Sequence, residues 1–252
     1  MLNKKILITG ASSGIGASFA KKAASNGMDL ILVARNQSKM ETLSKEIQSQ
    51  FNVAVELLPT DLAKDDDVSK LIELLKNMGS IDMLVNNAGF AVPQIFSESD
   101  IDKQLNMVNV HISAHMRLTR ALLPDMISRN KGCIVFVSST FAFVPYRRNA
   151  TYCASKAFVN VFAKVLEREL QGTGVIVQAL NPGGTNTNFH QTEVFNTVKR
   201  VQTPKSFIME PDQVVEYSFR KLGKKLIVVP GYRNKLMINF PRIIAGILEK
   251  KQ

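Results

Sequence analysis

The sequence predicts one α/β domain built on a doubly wound, seven-stranded parallel sheet with helices on both faces. The chain has 252 residues, 45% of them hydrophobic, which suits one large domain over residues 1–252. Strand-sized apolar runs alternate with helical patterns, as in parallel sheets with right-handed crossovers. A glycine-rich turn separates the first strand pattern from the first helix pattern, which is typical of a Rossmann-type, dinucleotide-binding domain.

Composition narrows the class of protein. The N-terminus lacks a signal-peptide core and runs directly into a strand pattern, and two cysteines, Cys133 and Cys153, are too few for a disulfide framework. We therefore expect a reduced, cytoplasmic protein, and no metal-ligand spacing is present. The net charge of +11 is spread along the chain, unlike the concentrated charge of a nucleic-acid reader. It favours anionic ligands: a phosphorylated cofactor, a coenzyme A thioester, an acidic carrier protein or an anionic membrane surface.

The first half of the chain alternates strands and helices. The predicted strands are 4–9, 29–34, 53–58 and 81–85, and the predicted helices are one that follows Gly16 and runs to about Asn26, one over 38–50 and one over 64–77. The first two strands read as continuous apolar runs, which indicates burial on both faces of a parallel sheet.

The turn after the first strand reads G-x-x-x-G-x-G, from Gly10 to Gly16. Glycines let the backbone approach a pyrophosphate, and the helix that follows presents free N–H groups and a positive dipole end. We therefore predict a phosphate cradle. Its candidate cofactor-binding residues are Gly10, Ser12, Ser13, Gly14, Ile15 and Gly16.

Arg35 follows the second strand, where an NAD-preferring fold places an acid to hold the ribose 2′-hydroxyl. No acid is present in Ala34-Arg35-Asn36, and an arginine suits a 2′-phosphate because its charge is permanent and its donors are bidentate. The residue favours NADP(H) as cofactor, with a solvated arginine at the helix start as the alternative.

The second half continues the alternation. We predict a long helix over 100–129, with an interruption near Pro124. The elements that follow it are strand 133–137, a helix from about 150 to 171, strand 175–180, helix 210–222 and strand 225–229. Residues 188–209 are polar with scattered apolar positions, as expected of a substrate lid. The tail, 232–252, carries apolar residues at helical spacing between basic ones, as expected of an amphipathic helix.

Tyr152 and Lys156 are four residues apart and share one face of a helix. A lysine ammonium beside a phenol favours the phenolate, so we expect Lys156 to lower the Tyr152 pKa and make the tyrosine a proton carrier. His111 and His115 also share a helix face, which could suggest a metal. With no carboxylate or cysteine partner in a recognisable pattern, we interpret both histidines as helix packing.

Together these motifs resemble the short-chain dehydrogenase/reductase family, in particular its general NADP-dependent oxidoreductases. The resemblance covers residues 9–187, from the Thr9-Gly10 turn onward, and includes the segment Asn86-Asn87-Ala88-Gly89. It implies a catalytic tetrad of Asn109, Ser139, Tyr152 and Lys156. It further implies cofactor contacts at Asp61, Leu62, Asn87, Ala88, Gly89, Tyr152, Lys156, Pro182, Gly183, Thr185 and Thr187.

The chain departs from the family pattern at two positions. Ser13 stands where many NADP-preferring members carry Lys or Arg, which leaves Arg35 to recognise the 2′-phosphate. Thr185 stands where the family usually has Val or Ile, a tolerable change because the contact there is made by the main chain.

The resemblance implies an enzyme that uses NADP(H) to reduce a carbonyl to an alcohol, reversibly. Tyr152 would donate the proton, Lys156 would also hold the nicotinamide ribose, Ser139 would bond the substrate oxygen, and Asn109 would hold a water linking Lys156 to solvent. The expected substrate is apolar, such as a 3-oxoacyl thioester. A steroid, retinoid or small-ketone reductase is the alternative, and a non-catalytic cofactor-binding regulatory protein is a further one.

The expected partners are a small-molecule carbonyl or alcohol, which a thioester could link to a carrier, and a second copy of the chain. The resemblance implies a homodimer or homotetramer, in which the helices of Asn109 and Tyr152 pack across a two-fold axis. No nucleic acid is expected. The amphipathic tail must be covered by protein or by a membrane surface, and we favour protein.

Overall fold

The computed structural model describes residues 4–187, 189 and 208–239. The strands are β1 (Lys5–Thr9), β2 (Asp29–Ala34), β3 (Val55–Pro59), β4 (Met83–Asn86), β5 (Gly132–Val137), β6 (Val175–Leu180) and β7 (Ile227–Val228). Within these residues, the seven strands are all parallel, in the order β3-β2-β1-β4-β5-β6-β7. The predicted fold class is confirmed. The strand order reverses between β1 and β4, and open α/β sheets bind ligands at the carboxyl edge beside such a reversal.

Helices cover both faces of the sheet. They are α1 (Gly14–Ser25), α2 (Gln37–Gln50), α3 (Asp65–Lys76), α4 (Ile101–Val108), α5 (His115–Ser128), α6 (Ala150–Glu169), α7 (Pro211–Lys221) and α8 (Tyr232–Asn239). Side chains of β1 alternate between two cores, because successive residues of a strand point to opposite faces. One core packs β1 against α1, α2 and α7, and the other packs it against α3, α5 and α6.

The predicted helix over 100–129 is divided at a different place from the one expected. A π-helical segment, Asn109–Ala114, separates α4 from α5, whereas Pro124 lies inside α5 without ending it. The prediction of an interruption near Pro124 is therefore wrong. A π segment adds a residue to the turn and often occurs at functional sites.

Parts of two predicted segments lie outside the described residues. Of the predicted lid, Phe189, Ile208 and Met209 are described, and Thr185 forms an isolated parallel bridge with Met209. Of the predicted tail, α8 is described, with Asn234 and Met237 buried. In the part of the chain that the structure describes, no helix is both long and apolar enough to cross a membrane.

Candidate active site

Four loops meet at the carboxyl edge of the sheet, where β1, β4, β5 and β6 end. They are the glycine-rich turn after Thr9, the segment Asn87–Gly89, the segment that begins at Ser138, and residues 181–187. Parallel strands place the loops that follow them side by side, so residues distant in sequence become neighbours here.

The glycine-rich turn requires its glycines. Gly10 and Gly14 have φ values of 65° and 54°, in the left-handed region that favours glycine. A Cβ on Gly16 would lie 2.2 Å from the Gly10 carbonyl oxygen, and one on Gly14 would lie 2.9 Å from Cγ2 of Thr187. The turn therefore closes on itself and on the loop after β6.

The first turn of α1 is open to an anion. Ser13, the N-cap residue, is extended and makes no side-chain bond to the helix, and the first turn carries no acid. Ser12 is half-buried, Ser13 is exposed, and Ile15 packs against the core. The unpaired N–H groups and the glycine cradle together fit the pyrophosphate of a dinucleotide.

Thr9 joins this turn to the Asn87–Gly89 segment. Its buried hydroxyl accepts hydrogen bonds from the backbone N–H groups of Asn87 (2.9 Å) and Ala88 (3.0 Å) and donates to the Val85 carbonyl (3.2 Å). The Asn87 amide in turn donates to the Thr9 carbonyl at 2.8 Å. Sequence reasoning quoted Thr9 as part of a motif but did not count it among the site residues.

Arg35 lies exposed at the end of β2. Its neighbour Asn36 caps α2 by accepting a hydrogen bond from the backbone N–H of Lys39 at 2.9 Å, so the helix start does not use the arginine. Among the described residues, no carboxylate forms an ion pair with Arg35. The guanidinium is therefore available to a 2′-phosphate.

Asp61, Leu62 and Asn109 belong to one loop contact. The Asp61 carboxylate accepts from the Ala63 N–H at 3.1 Å, and Leu62 is buried in the core. The Asn109 amide donates to the Ala63 carbonyl at 3.2 Å, which fixes this loop to the π-helical segment. Within the described residues no hydrogen bond joins Asn109 to Lys156 directly, and the water link between them stays a prediction.

Tyr152 and Lys156 are buried on the first turns of α6. The Lys156 ammonium lies 5.7 Å from the centre of the Tyr152 ring and donates to the Val137 carbonyl at 2.9 Å. The Ser139 hydroxyl, at the end of β5, accepts from the Phe141 N–H at 3.1 Å. Its neighbour Ser138, to which the sequence assigns no role at the site, donates to the Lys156 carbonyl at 2.9 Å and holds α6 against β5.

Burial controls the protonation of this pair. It raises the pKa of Tyr152 to about 12, although a hydrogen bond with Ser139 opposes the shift. It lowers the pKa of Lys156 to about 7. The prediction that Lys156 lowers the Tyr152 pKa is therefore wrong for the described chain: burial disfavours the phenolate and also weakens the positive charge that would stabilise it.

Aromatic rings surround the Tyr152 side chain. Its ring centre lies 5.6 Å from that of His111, 6.1 Å from that of Phe141 and 6.1 Å from that of Phe189, each in an edge-on arrangement. A substrate that reaches the phenol must pass along apolar surface.

The loop after β6 is tied to its neighbours. The Pro182 carbonyl accepts from the Thr140 N–H at 3.0 Å, and a Cβ on Gly183 would lie 2.2 Å from Oδ1 of Asn234 in α8. The Thr185 hydroxyl donates to the Gly183 carbonyl at 3.1 Å. Within this loop, Thr187 lies against Gly14 of the glycine-rich turn, Pro182 bonds Thr140 beside Ser139, and Thr185 pairs with Met209.

His111 is buried, in agreement with the interpretation as helix packing, and it also makes two hydrogen bonds that the sequence does not predict. Its Nε2 accepts from the Phe90 N–H at 3.1 Å, and its Nδ1 lies 2.9 Å from the Ser155 hydroxyl oxygen. In the sequence, only the i, i+4 spacing from His115 draws attention to this residue. Among the described residues, no group of three or more His, Cys, Asp or Glu side chains could hold a metal ion.

A phosphate cradle at the reversal of a parallel sheet, beside a buried tyrosine and lysine, defines a nucleotide-dependent oxidoreductase. Comparison with known proteins makes the class specific: residues 4–196 match the family described as short chain dehydrogenase. The chain belongs to this family, whose members are oxidoreductases that interconvert alcohols and carbonyls.

Individual relatives agree with this assignment. The chain is 35% identical over 186 residues to an uncharacterized oxidoreductase of Staphylococcus saprophyticus, covering 73% of this chain and 80% of that one. It is 32% identical to a very-long-chain 3-oxoacyl-CoA reductase of Phaeosphaeria nodorum, over 96% of this chain and 69% of that one. A short-chain dehydrogenase from Sphingobium yanoikuyae, solved in complex with NADPH, superposes with a TM-score of 0.83 at 30% identity, over 96% and 95% of the two chains. The chain spans from 58% to 80% of the length of the curated relatives it matches.

Proposed function

We propose that this chain is an NADP(H)-dependent reductase that converts the carbonyl of an apolar 3-oxoacyl thioester to an alcohol, reversibly. One observation carries the proposal: a protonated phenol, Tyr152, is buried among aromatic rings beside Ser139 and Lys156. The prediction of NADP(H) as cofactor is confirmed by the comparisons, and the glycine cradle and Arg35 are the residues that would hold it.

The residues of the chain divide the reaction between them. When bound, the nicotinamide would supply the hydride for the carbonyl carbon. Tyr152 donates the proton to the carbonyl oxygen, and with its pKa raised to about 12 the phenol carries that proton at neutral pH. Ser139 hydrogen-bonds the same oxygen and stabilises the charge that develops there.

The substrate class is supported by the lining of the site and by the relatives. The aromatic rings around Tyr152 favour an acyl chain over a polar substrate. Arg147 is exposed and Arg148 is half-buried in the turn before α6, and they are the cations proposed to meet an acidic or carrier-linked end. The Phaeosphaeria nodorum relative is named for reduction of a 3-oxoacyl-CoA.

A matched substrate panel tests the proposal. Oxidation of NADPH is followed with a long-chain 3-oxoacyl-CoA, with a neutral ketone of the same chain length, and with a small ketone. The proposal expects the highest kcat/KM for the thioester, and expects Arg147→Ala with Arg148→Ala to lower that value while sparing the neutral ketone.

The panel also identifies the alternatives. Faster turnover of a steroid or small ketone than of the thioester would contradict the substrate class. Tight NADPH binding without turnover of any member would favour a binding-only regulatory protein. Equal effects of the double substitution on thioester and ketone would remove the two arginines from substrate recognition.

A further inference from the structure

His111 connects the loop after β4 with helix α6, two parts of the site that are far apart in the sequence. It lies in the π-helical segment and is 0% exposed. Its Nε2 accepts from the Phe90 N–H, directly after the Asn87–Gly89 segment, and its Nδ1 meets the Ser155 hydroxyl on α6. The Ser155 hydroxyl also lies 2.8 Å from the Tyr152 carbonyl.

These contacts fix the direction of each hydrogen bond. Because a backbone N–H can only donate, Nε2 of His111 must be unprotonated. The ring proton then sits on Nδ1 and is donated to Ser155, which gives its own proton to the Tyr152 carbonyl. A neutral imidazole in one tautomer satisfies the whole chain of bonds.

The surroundings of the ring keep it neutral and in place. A Cβ on Gly89 would lie 2.7 Å from Nε2 of His111 and 3.5 Å from Nζ of Lys156, so the glycine backbone is held between the two side chains. Burial, Lys156 and His115 all lower the pKa of His111. The ring also contacts Tyr152 and Phe90 edge-on, at 5.6 Å and 6.2 Å between centres.

We propose that His111 is a positioning residue for the reaction. Its Nε2 bond sets the Gly89–Phe90 backbone on the cofactor side, and its Nδ1 bond, through Ser155, sets the turn of α6 that carries Tyr152. The inference rests on the proposed function, because it has His111 set the distance between the Asn87–Gly89 segment and Tyr152, the proposed proton donor. The two hydrogen bonds of His111 can be tested separately, because Nε2 bonds Phe90 and Nδ1 bonds Ser155.

Two substitutions separate the bonds. In His111→Gln the amide oxygen can reach the position of Nε2 and accept from Phe90, whereas in His111→Asn the amide N–H can reach the position of Nδ1 and donate to Ser155. We expect the glutamine variant to keep the KM for NADPH and lose about tenfold in kcat, because misplacing a reacting group is costly. We expect the asparagine variant to keep most of kcat and raise the KM for NADPH about tenfold, because it leaves the partly buried Phe90 N–H without its acceptor.

His115→Leu is the matched control. His115 lies one turn further along, is also buried, and lies near the backbone of Ala88 and His111 rather than against Phe90 or Ser155. It is expected to change the melting temperature without splitting kcat from KM. Ser155→Ala should reproduce the glutamine variant, since it breaks the same bond from the other side, and it provides the test if a His111 variant does not fold.

The outcomes are decisive for His111. Glutamine and asparagine variants with the same kinetic profile, or a His115→Leu profile equal to either, would overturn the positioning role. If the wild-type protein reduces no carbonyl, the proposed function fails, but NADPH affinity measured by calorimetry still tests the Phe90 bond. Equal NADPH affinity of the asparagine and glutamine variants would then reject a role of the Phe90 bond in cofactor binding.

Discussion

At the residue scale, burial decides the charges of Tyr152 and Lys156. The two side chains are 8% and 3% exposed, and the pKa values of about 12 and about 7 follow from the loss of hydration. At neutral pH the phenol therefore holds its proton, while the lysine is close to half-charged. The protonated phenol is the form that gives a proton to a carbonyl during reduction.

Lys156→Met tests the lysine through the pH dependence of stability. An unfolded lysine keeps its proton to about pH 10.4, whereas the folded Lys156 releases it near pH 7. Between these values the unfolded state binds more protons, so the free energy of unfolding of the wild type should rise with pH, by at most about 1.4 kcal/mol per unit. Urea unfolding at pH 7 and pH 9, without cofactor, should show this rise relative to the variant. Parallel pH dependences of the two proteins would show that Lys156 has an ordinary pKa.

Arg35→Ala tests the cofactor preference. Loss of a charge-assisted bond to the 2′-phosphate should raise the KM for NADPH about tenfold and leave the KM for NADH nearly unchanged. Lys45→Ala, an exposed cation further along α2, is the control and should alter neither value. A wild-type protein that prefers NADH, or a control that matches the variant, would contradict the role of Arg35.

At the element scale, strands and turns carry the site, and hydrogen bonds between them hold its parts in register. Thr9, the last residue of β1, pairs with two backbone N–H groups of the loop after β4. The glycine-rich turn and the Asn87–Gly89 segment therefore move together.

Thr9→Val tests this connection. The substitution keeps the shape of the side chain but leaves the buried Ala88 N–H without its acceptor, which should cost about 1–3 kcal/mol of unfolding free energy, whereas the Asn87 N–H keeps the Val85 carbonyl at 3.0 Å. Thr60→Val is the control, because the Thr60 hydroxyl makes a single bond, to the Leu58 carbonyl, and should cost less. If the Thr9 contacts were unimportant, urea unfolding would show the same loss of unfolding free energy in Thr9→Val and in Thr60→Val.

The elements also show what the sequence could and could not predict. Continuous apolar runs predicted the buried strands, because a parallel sheet covered on both faces needs them, and glycines marked the turn that only glycine can form. The π-helical segment escaped prediction, because Asn109–Ala114 has no composition that distinguishes it from an α-helix. The pKa of Tyr152 was misjudged for a similar reason: spacing placed Lys156 nearby but could not show how deeply both side chains are buried.

At the scale of the whole molecule, the outer faces of α4 and α6 carry exposed apolar side chains. Val161 and Val165 on α6 are 60% and 46% exposed, and Ile101 and Leu105 on α4 are 54% and 52% exposed. Such surface usually meets another protein. It agrees with the homodimer or homotetramer that the family resemblance implies, with these helices at the two-fold axis.

Val161→Glu tests the assembly. A charge in the centre of an apolar interface should shift the protein toward the monomer, with the melting temperature of the monomer fold little changed. Leu74→Glu on α3, where the leucine is 51% exposed, is the matched control and should leave the mass unchanged. Light scattering that finds a monomeric wild type, or the same mass for all three proteins, would contradict this interface.

The most direct measurement compares the wild type with Tyr152→Phe, using NADPH and a long-chain 3-oxoacyl-CoA. The substitution removes one hydroxyl and little volume, so NADPH affinity should stay within about twofold, while loss of the general acid should lower kcat by about a hundredfold or more. That result would establish a reductase in which Tyr152 gives the proton. A variant that keeps most of the wild-type turnover would contradict the account at its centre.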